Sequence, residues 1–319
     1  MILCRQMKKN RIFLQVVIGI AIIALLLYRI GIYDVISALK KTIPLYFILA
    51  CLSYIILNII LATRLRYLLA RQGHAVKFQT VFLSHMGGMM IGDLTPGRSG
   101  YFLTPPILKK NTGIPITDGM ACIFAPQAIE FILKVSGAFL AIIYISTLSG
   151  ISKDLLISAA IGAAILLIVG ILMLIISWKD ENVSLNFLGK IPFFRKFVDN
   201  ILPFKERSVG IKGSIKAILL MTMIGWVFAA LHWFYLGKAL GIELPYFVFF
   251  LLHPLLTILM FVPLTPAGFG IMETAVTIVL ALFGVPQATA VAFSILMRAS
   301  IILVDLLGLK TILSSLRDL

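Results

Sequence analysis

Four ionisable residues stand in stretches that are otherwise almost wholly apolar, and their types suit one chemistry. Arg98, Glu130, Glu273 and Arg298 carry charge into segments that read as membrane-embedded, where such residues face a bundle interior or a polar path. A guanidinium offers a planar fork of donors that matches phosphate oxygens. Arg98 and Arg298 are therefore candidate phosphate ligands, with Glu130 and Glu273 as counter-charges or as partners for a cationic group. Tyr101, Gln127, Lys134 and Asp305 are supporting polar residues. Glu130 and Lys134 are four apart on one helix face and can pair; Arg298 and Asp305, seven apart, share a similar face of the last span. The competing reading of these charges is a set of structural ion pairs that fix helix packing.

Other chemistry fits less well. Gly97-Arg98-Ser99-Gly100 has the Gly-x-Ser-Gly form of an intramembrane serine protease nucleophile, but the related stretch further on has Phe269 where Ser99 stands. The chain contains neither a GxxxxGK[ST] phosphate loop nor an HExxH motif. Cys4, Cys51 and Cys122 form no CxxC pair. His85, His232 and His253 lie far apart in apolar stretches and read as hydrogen-bonded interior residues. No catalytic residue, metal site or cofactor is expected.

The elements that must hold these residues are helices in a bilayer. Hydrophobic residues make up 61% of the 319 positions and the mean hydropathy is +1.07, an excess no soluble core absorbs. Lys plus Arg outnumber Asp plus Glu by 28 to 13. The excess sits beside apolar runs, where it acts as a topology signal and a contact for anionic headgroups rather than for nucleic acid. The fold class expected is all-α: one transmembrane domain over 1–319, a helical bundle with about seven or eight full spans plus broken or re-entrant helices. Runs near 12–30, 43–63, 129–148, 154–177, 215–236, 246–263 and 287–309 are long enough to cross; pieces near 79–94, 99–108, 116–128 and 268–283 are shorter. The basic segment 178–214 reads as a cytoplasmic loop. Together with the basic N-terminus it places both chain ends, and Arg64, Arg66, Arg71 and Lys77, on the cytoplasmic side of a cell membrane.

An internal repeat is written in the same residues. Leu94-Thr95-Pro96-Gly97-Arg98-Ser99-Gly100 and Leu264-Thr265-Pro266-Ala267-Gly268-Phe269-Gly270 share Leu-Thr-Pro and a Gly 170 positions apart. Gly113-Ile114-Pro115 and Gly284-Val285-Pro286 follow 171 apart. Pro lacks an N–H and Gly admits positive φ, so each loop should break a helix and free backbone groups that need partners or a cavity. Halves near 43–177 and 215–309 would then form an inverted-topology repeat whose broken helices meet near the midplane.

The chain resembles the flippase-like integral membrane family related to the transmembrane region of lysylphosphatidylglycerol synthase. The resemblance rests on Pro96, Arg98 and Gly100, on the helix with Glu130, and on Pro266-Ala267-Gly268-Phe269-Gly270-Ile271-Met272-Glu273 with Gly284-Val285-Pro286 and Arg298. Tyr101 stands where the family commonly has Glu, and Phe131 where Arg often follows the Glu. The family's synthase members append a soluble aminoacyl-transferase domain that is not seen in this sequence, so lipid aminoacylation is not expected. What the resemblance implies is lipid translocation or handling of an anionic phospholipid or lipid-linked sugar carrier, with a glycosyltransferase or synthase as a possible partner class. The alternatives are a secondary transporter of a small polar solute and a membrane scaffold for such an enzyme. Oligomeric state is not legible.

Overall fold

The computed structural model describes residues 2–147, 153–178, 198–261 and 264–316. In hydrocarbon every backbone N–H and C=O must find a partner within the chain, and helices do this segment by segment. Thirteen α-helices result among the described residues: α1 (Ile2–Ile30), α2 (Ile32–Lys40), α3 (Pro44–Arg71), α4 (Phe78–Asp93), α5 (Thr104–Thr112), α6 (Ile116–Ser146), α7 (Lys153–Trp178), α8 (Val198–Gly210), α9 (Ile215–Ala239), α10 (Tyr246–Thr257), α11 (Ile271–Leu282), α12 (Gln287–Asp305) and α13 (Leu309–Leu316). Proline marks their starts. Pro44 opens α3, while Pro115 and Pro286 precede α6 and α12 with nearly the same dihedrals, φ −56°, ψ 142° and φ −55°, ψ 136°.

The polytopic all-α bundle has five stretches long and apolar enough to cross a bilayer: 44–71, 116–146, 160–178, 203–239 and 287–314. A sixth is broken: 14–30 and 32–40 meet at 87°, because Gly31 takes φ 99°, a conformation that ends a helix without a Cβ penalty. Sequence expectation and structure differ at three places. Residues 116–128, read as a short piece, are the first turns of the 31-residue α6, which runs on through Pro126. The run at 246–263 yields only the 12-residue α10 and a 3₁₀ turn at Ile258–Phe261. The basic segment 178–214 is not a loop over its second part. There α8 packs on α6 and α7, with Lys205 and Ser208 buried. Lys179, Lys190, Arg195 and Lys196 lie outside the described residues.

Backbone geometry repeats along the chain. Gly97 and Arg98 have φ 63° and 52°, and Ala267 and Gly268, 170 positions on, have φ 41° and 70°. Both loops close the same turns: Arg98 N to Thr95 O (3.2 Å) and Ser99 N to Pro96 O (3.3 Å) match Gly268 N to Thr265 O (3.3 Å) and Phe269 N to Pro266 O (2.8 Å). Gly113 and Gly284 both cap helix ends at φ 78°. The loops also touch. Pro96 and Pro266 form an antiparallel bridge, with Ala267 N donating to Thr95 O at 3.1 Å, so equivalent residues meet about a local two-fold axis. α3 packs most extensively on α9, its counterpart by the same offset.

Close approach elsewhere rests on glycine. A Cβ on Gly308 would fall on backbone atoms of Met86 and Gly87, where the 306–308 turn lies against α4. Small residues are what let such elements pack in a membrane. Gly308→Ala is expected to destabilise the purified protein by about 1–3 kcal/mol, read as a lower Tm in detergent, whereas Gly213→Ala, with open space around it, should leave Tm unchanged.

Candidate functional site

A cavity of about 560 Å³ lies beside the first loop, between α6, α7 and the Ile258–Phe261 turn. One wall is polar: Arg64, Arg98, Ser99, Tyr101, Gln127, Glu130 and Lys134. The opposite wall is Gly162, Ile165, Leu166, Val169 and Met173 of α7. Ile165 is 56% and Val169 37% exposed, so the cavity opens where α7 presents apolar side chains to the outside, which for a spanning helix is the lipid. A second, inner cavity of about 110 Å³ shares Arg98, Glu130, Lys134 and Phe261 and continues to Trp226, His232 and His253.

The polar wall is built by α6. Gln127, Glu130 and Lys134 succeed one another at helical spacing, and Lys134 Nζ sits 3.0 Å from Glu130 Oε1. Arg64 of α3 approaches the other carboxylate oxygen at 3.6 Å and donates to Thr222 Oγ1 at 2.7 Å. Glu130 thus lies between two cations, and the cavity carries three cations against one carboxylate. Gln127 is 7% exposed, and its Nε2 is buried without a protein partner. That donor is available to whatever enters.

Arg98, placed on the loop at positive φ, donates to Asp93 Oδ1 at 2.5 Å. Behind it, Tyr54 Oη donates to Asp305 Oδ2 at 3.5 Å, and Asp305 is 1% exposed. Thr95 explains how the loop holds its shape: its hydroxyl donates to Gly92 O (3.0 Å) and accepts from Gly100 N (2.7 Å). A side chain supplies the partners that a broken helix lacks.

The second loop uses its charges differently. Gly270 N donates to Glu273 Oε2 at 2.6 Å, the task Thr95 performs in the first loop, and Thr265 Oγ1 is left without a partner. Arg298 donates through Nε to Glu273 Oε1 (2.6 Å) and through Nη2 to Ala267 O (2.8 Å), with its guanidinium over the Phe269 ring. Neither Glu273 nor Arg298 lines either cavity. The single groove expected from sequence is therefore two assemblies, a cation-lined cavity at the first loop and a brace that fastens the second. Arg298 has its fork occupied by the loop itself.

The model of the lysylphosphatidylglycerol synthase TM region matches residues 12–308 of the chain. The chain belongs to this family. Among its relatives, a UPF0104 membrane protein of Methanocaldococcus jannaschii is 28% identical over 66% of this chain and 87% of its own. Another, of Pyrococcus horikoshii, is 25% identical over 90% of this chain and 91% of its own.

In this member of the family, three site residues escaped sequence reasoning. Sequence position groups Arg64 with Arg66, Arg71 and Lys77 as a topology signal, yet it is 5% exposed. The available clue was length: α3 has 28 residues, more than the roughly 20 a span needs, so Arg64 lies within the apolar register. Asp93 and Tyr54 sit at the loop mouth and in a plain apolar helix, and only folding brings them to Arg98 and Asp305. Two of the three histidines are interior and bonded, His85 to Asn58 (3.0 Å) and Tyr101 (3.2 Å) and His232 to Ser300 (2.8 Å), whereas His253 departs from the expectation: its Nδ1 is buried without a hydrogen-bond partner and its ring lies edge-on to Trp233.

Proposed function

We propose that the protein binds the phosphate-bearing headgroup of a membrane lipid, an anionic phospholipid or a lipid-linked sugar carrier, and moves it between leaflets. The observation that carries this reading is one cavity with a cationic wall and an apolar wall open at the lipid-facing side of α7. A lipid needs both at once: donors for its phosphate and a gap through which its acyl chains remain outside. A transporter of small polar solutes would be served better by a mouth closed to lipid. Arg64, Lys134 and Gln127 meet the headgroup, Arg98 joins when released from Asp93, and Glu130 keeps the two cations beside it from repelling each other when the cavity is empty. The halves 43–177 and 215–309 act as an inverted repeat in which the braced second loop is the fixed part and the first is the working part.

The orientation in a cell membrane follows from charge. One end of the bundle gathers Arg71, Lys77 and Arg207, linked through Gln72 to Arg207 O (3.2 Å) and through Asp118, which takes His74 at 2.7 Å and Arg207 at 3.3 Å. By the positive-inside rule this end, with both termini, faces the cytoplasm.

Gly162 supplies the test. It lines the cavity, and a Cβ there meets nothing within 4 Å, so a large side chain fills the void without displacing backbone. In proteoliposomes, leaflet exchange of a fluorescent phosphatidylglycerol is expected to be accelerated by wild type and slowed several-fold by Gly162→Trp at unchanged Tm. Equal exchange with and without wild-type protein would remove translocation from the reading, and equal exchange by both forms would remove this cavity as the route.

A further inference from the structure

Asp93, Asp305, Arg98 and Tyr54 form a buried charge cluster directly behind the cavity wall, and its charges do not balance. Two carboxylates face one guanidinium. Asp93 Oδ2 and Asp305 Oδ1 are both buried without a hydrogen-bond partner, while the other oxygen of each is engaged, by Arg98 and by Tyr54. Asp93 and Asp305 are neighbours that act on each other and on the same guanidinium. Carboxylates this close in a low-dielectric interior do not both ionise. A single proton shared between them supplies the missing donor and brings the cluster to neutrality.

The groups facing Asp305 are Tyr54 from α3, Asp93 from α4 and Arg98 from the first loop. From α9, His232 lies against the Tyr54 ring, tilted by 38° at 5.3 Å between centroids, and is bonded to Ser300. Glu273 of α11 is paired with Arg298 of α12 itself. Among the described residues, α2 and the 306–308 turn present no charged group to Asp305. Arg98 is therefore the cluster's one cation, and it is also a lining residue of both cavities.

We propose that Asp93 and Asp305 are a proton-binding site coupled through Arg98 to the lipid site, so that the protein takes up a proton as it takes a lipid phosphate. The inference rests on the reading of the cavity as a headgroup site. When Arg98 turns from Asp93 to a phosphate, the carboxylate pair loses its counter-ion, and a proton from the cavity water replaces it. The Asp93 side chain keeps 11% exposure, which gives that proton its way in. Deprotonation draws Arg98 back and weakens the grip on the lipid. The linkage is reciprocal: if lipid binding raises proton affinity, proton binding raises lipid affinity by the same factor.

Calorimetric titration of the purified full chain with dihexanoyl phosphatidylglycerol tests this, since its phosphodiester does not titrate near neutral pH. Run in two buffers of different protonation enthalpy, the wild type is expected to take up about one proton per lipid bound, and its Kd to rise by up to about tenfold per pH unit once the pair loses its proton. The double variant with Asp93→Asn and Asp305→Asn is expected to bind the lipid with neither proton uptake nor pH dependence, and the wild-type heats decide the matter if that variant does not fold. Wild-type binding with buffer-independent heat and a flat pH profile would overturn the coupling and leave the lipid site standing. Absence of any wild-type binding would overturn both.

Discussion

Arg298→Ala is expected to lower the stability of the protein by about 3–5 kcal/mol, the usual cost of removing one partner from a buried ion pair, and to do so without a specific loss of bound lipid. Among the described residues the side chain is the only donor on Glu273 Oε1 and on Ala267 O, and Ala267 already sits at φ 41°, where a non-glycine residue is held only by its surroundings. Removing Arg298 leaves a nearly buried carboxylate, 3% exposed at its side chain, facing a loop that has lost its clamp. Because Ala267 N holds Thr95 O, the first loop loosens with the second. Tm in detergent should fall sharply, and phospholipid retained per folded protein in native mass spectrometry should stay at the wild-type level. Unchanged Tm with lipid lost would return Arg298 to the role of phosphate ligand that its residue type alone suggests.

That contrast marks where the sequence stopped being legible. The repeat was readable because Thr, Pro and Gly dictate backbone conformation locally: a proline without an N–H and a glycine at positive φ produce the same turn wherever they recur, and the loops at 95–98 and 265–268 carry it out residue by residue. The pairing of Glu130 with Lys134 was equally local. What the sequence could not tell was which guanidinium is spent on structure. Arg98 stands in the first loop and Arg298 on the helix after the second, each a guanidinium in a largely apolar stretch, but Glu273 stands three residues after Gly270 and reaches back to its N–H, whereas three residues after Gly100 stands Leu103. The first loop therefore closes on Thr95 and leaves its arginine free to turn toward Asp93. Arg64 was hidden for another reason. A cation near the end of an apolar run has the same appearance whether it marks the membrane surface or enters the bundle, and only the packing of α3 on α9 decides.

Arg64 is where the cavity's affinity for anions should be most exposed to mutation. Arg64→Leu removes a cation but does not leave Glu130 alone, because Lys134 remains 3.0 Å from it; the Thr222 hydroxyl loses a donor but can rotate to another acceptor. The fold should therefore tolerate the change. With Arg98 held by Asp93, what remains on α6 is a neutral Glu130 and Lys134 pair, and the headgroup loses a charged hydrogen-bond donor worth about 1.5–3 kcal/mol. Retention of phosphatidylglycerol in native mass spectrometry is expected to fall by about tenfold to a hundredfold on that basis, with phosphatidylcholine, whose own cation offsets its phosphate, much less affected. Arg64→Lys keeps the charge and loses the planar fork, so it should fall between the two. If Arg64→Leu retains phosphatidylglycerol like the wild type while Gly162→Trp still blocks exchange, the cavity holds acyl chain rather than headgroup, and the cations serve only the packing of α3 against α6.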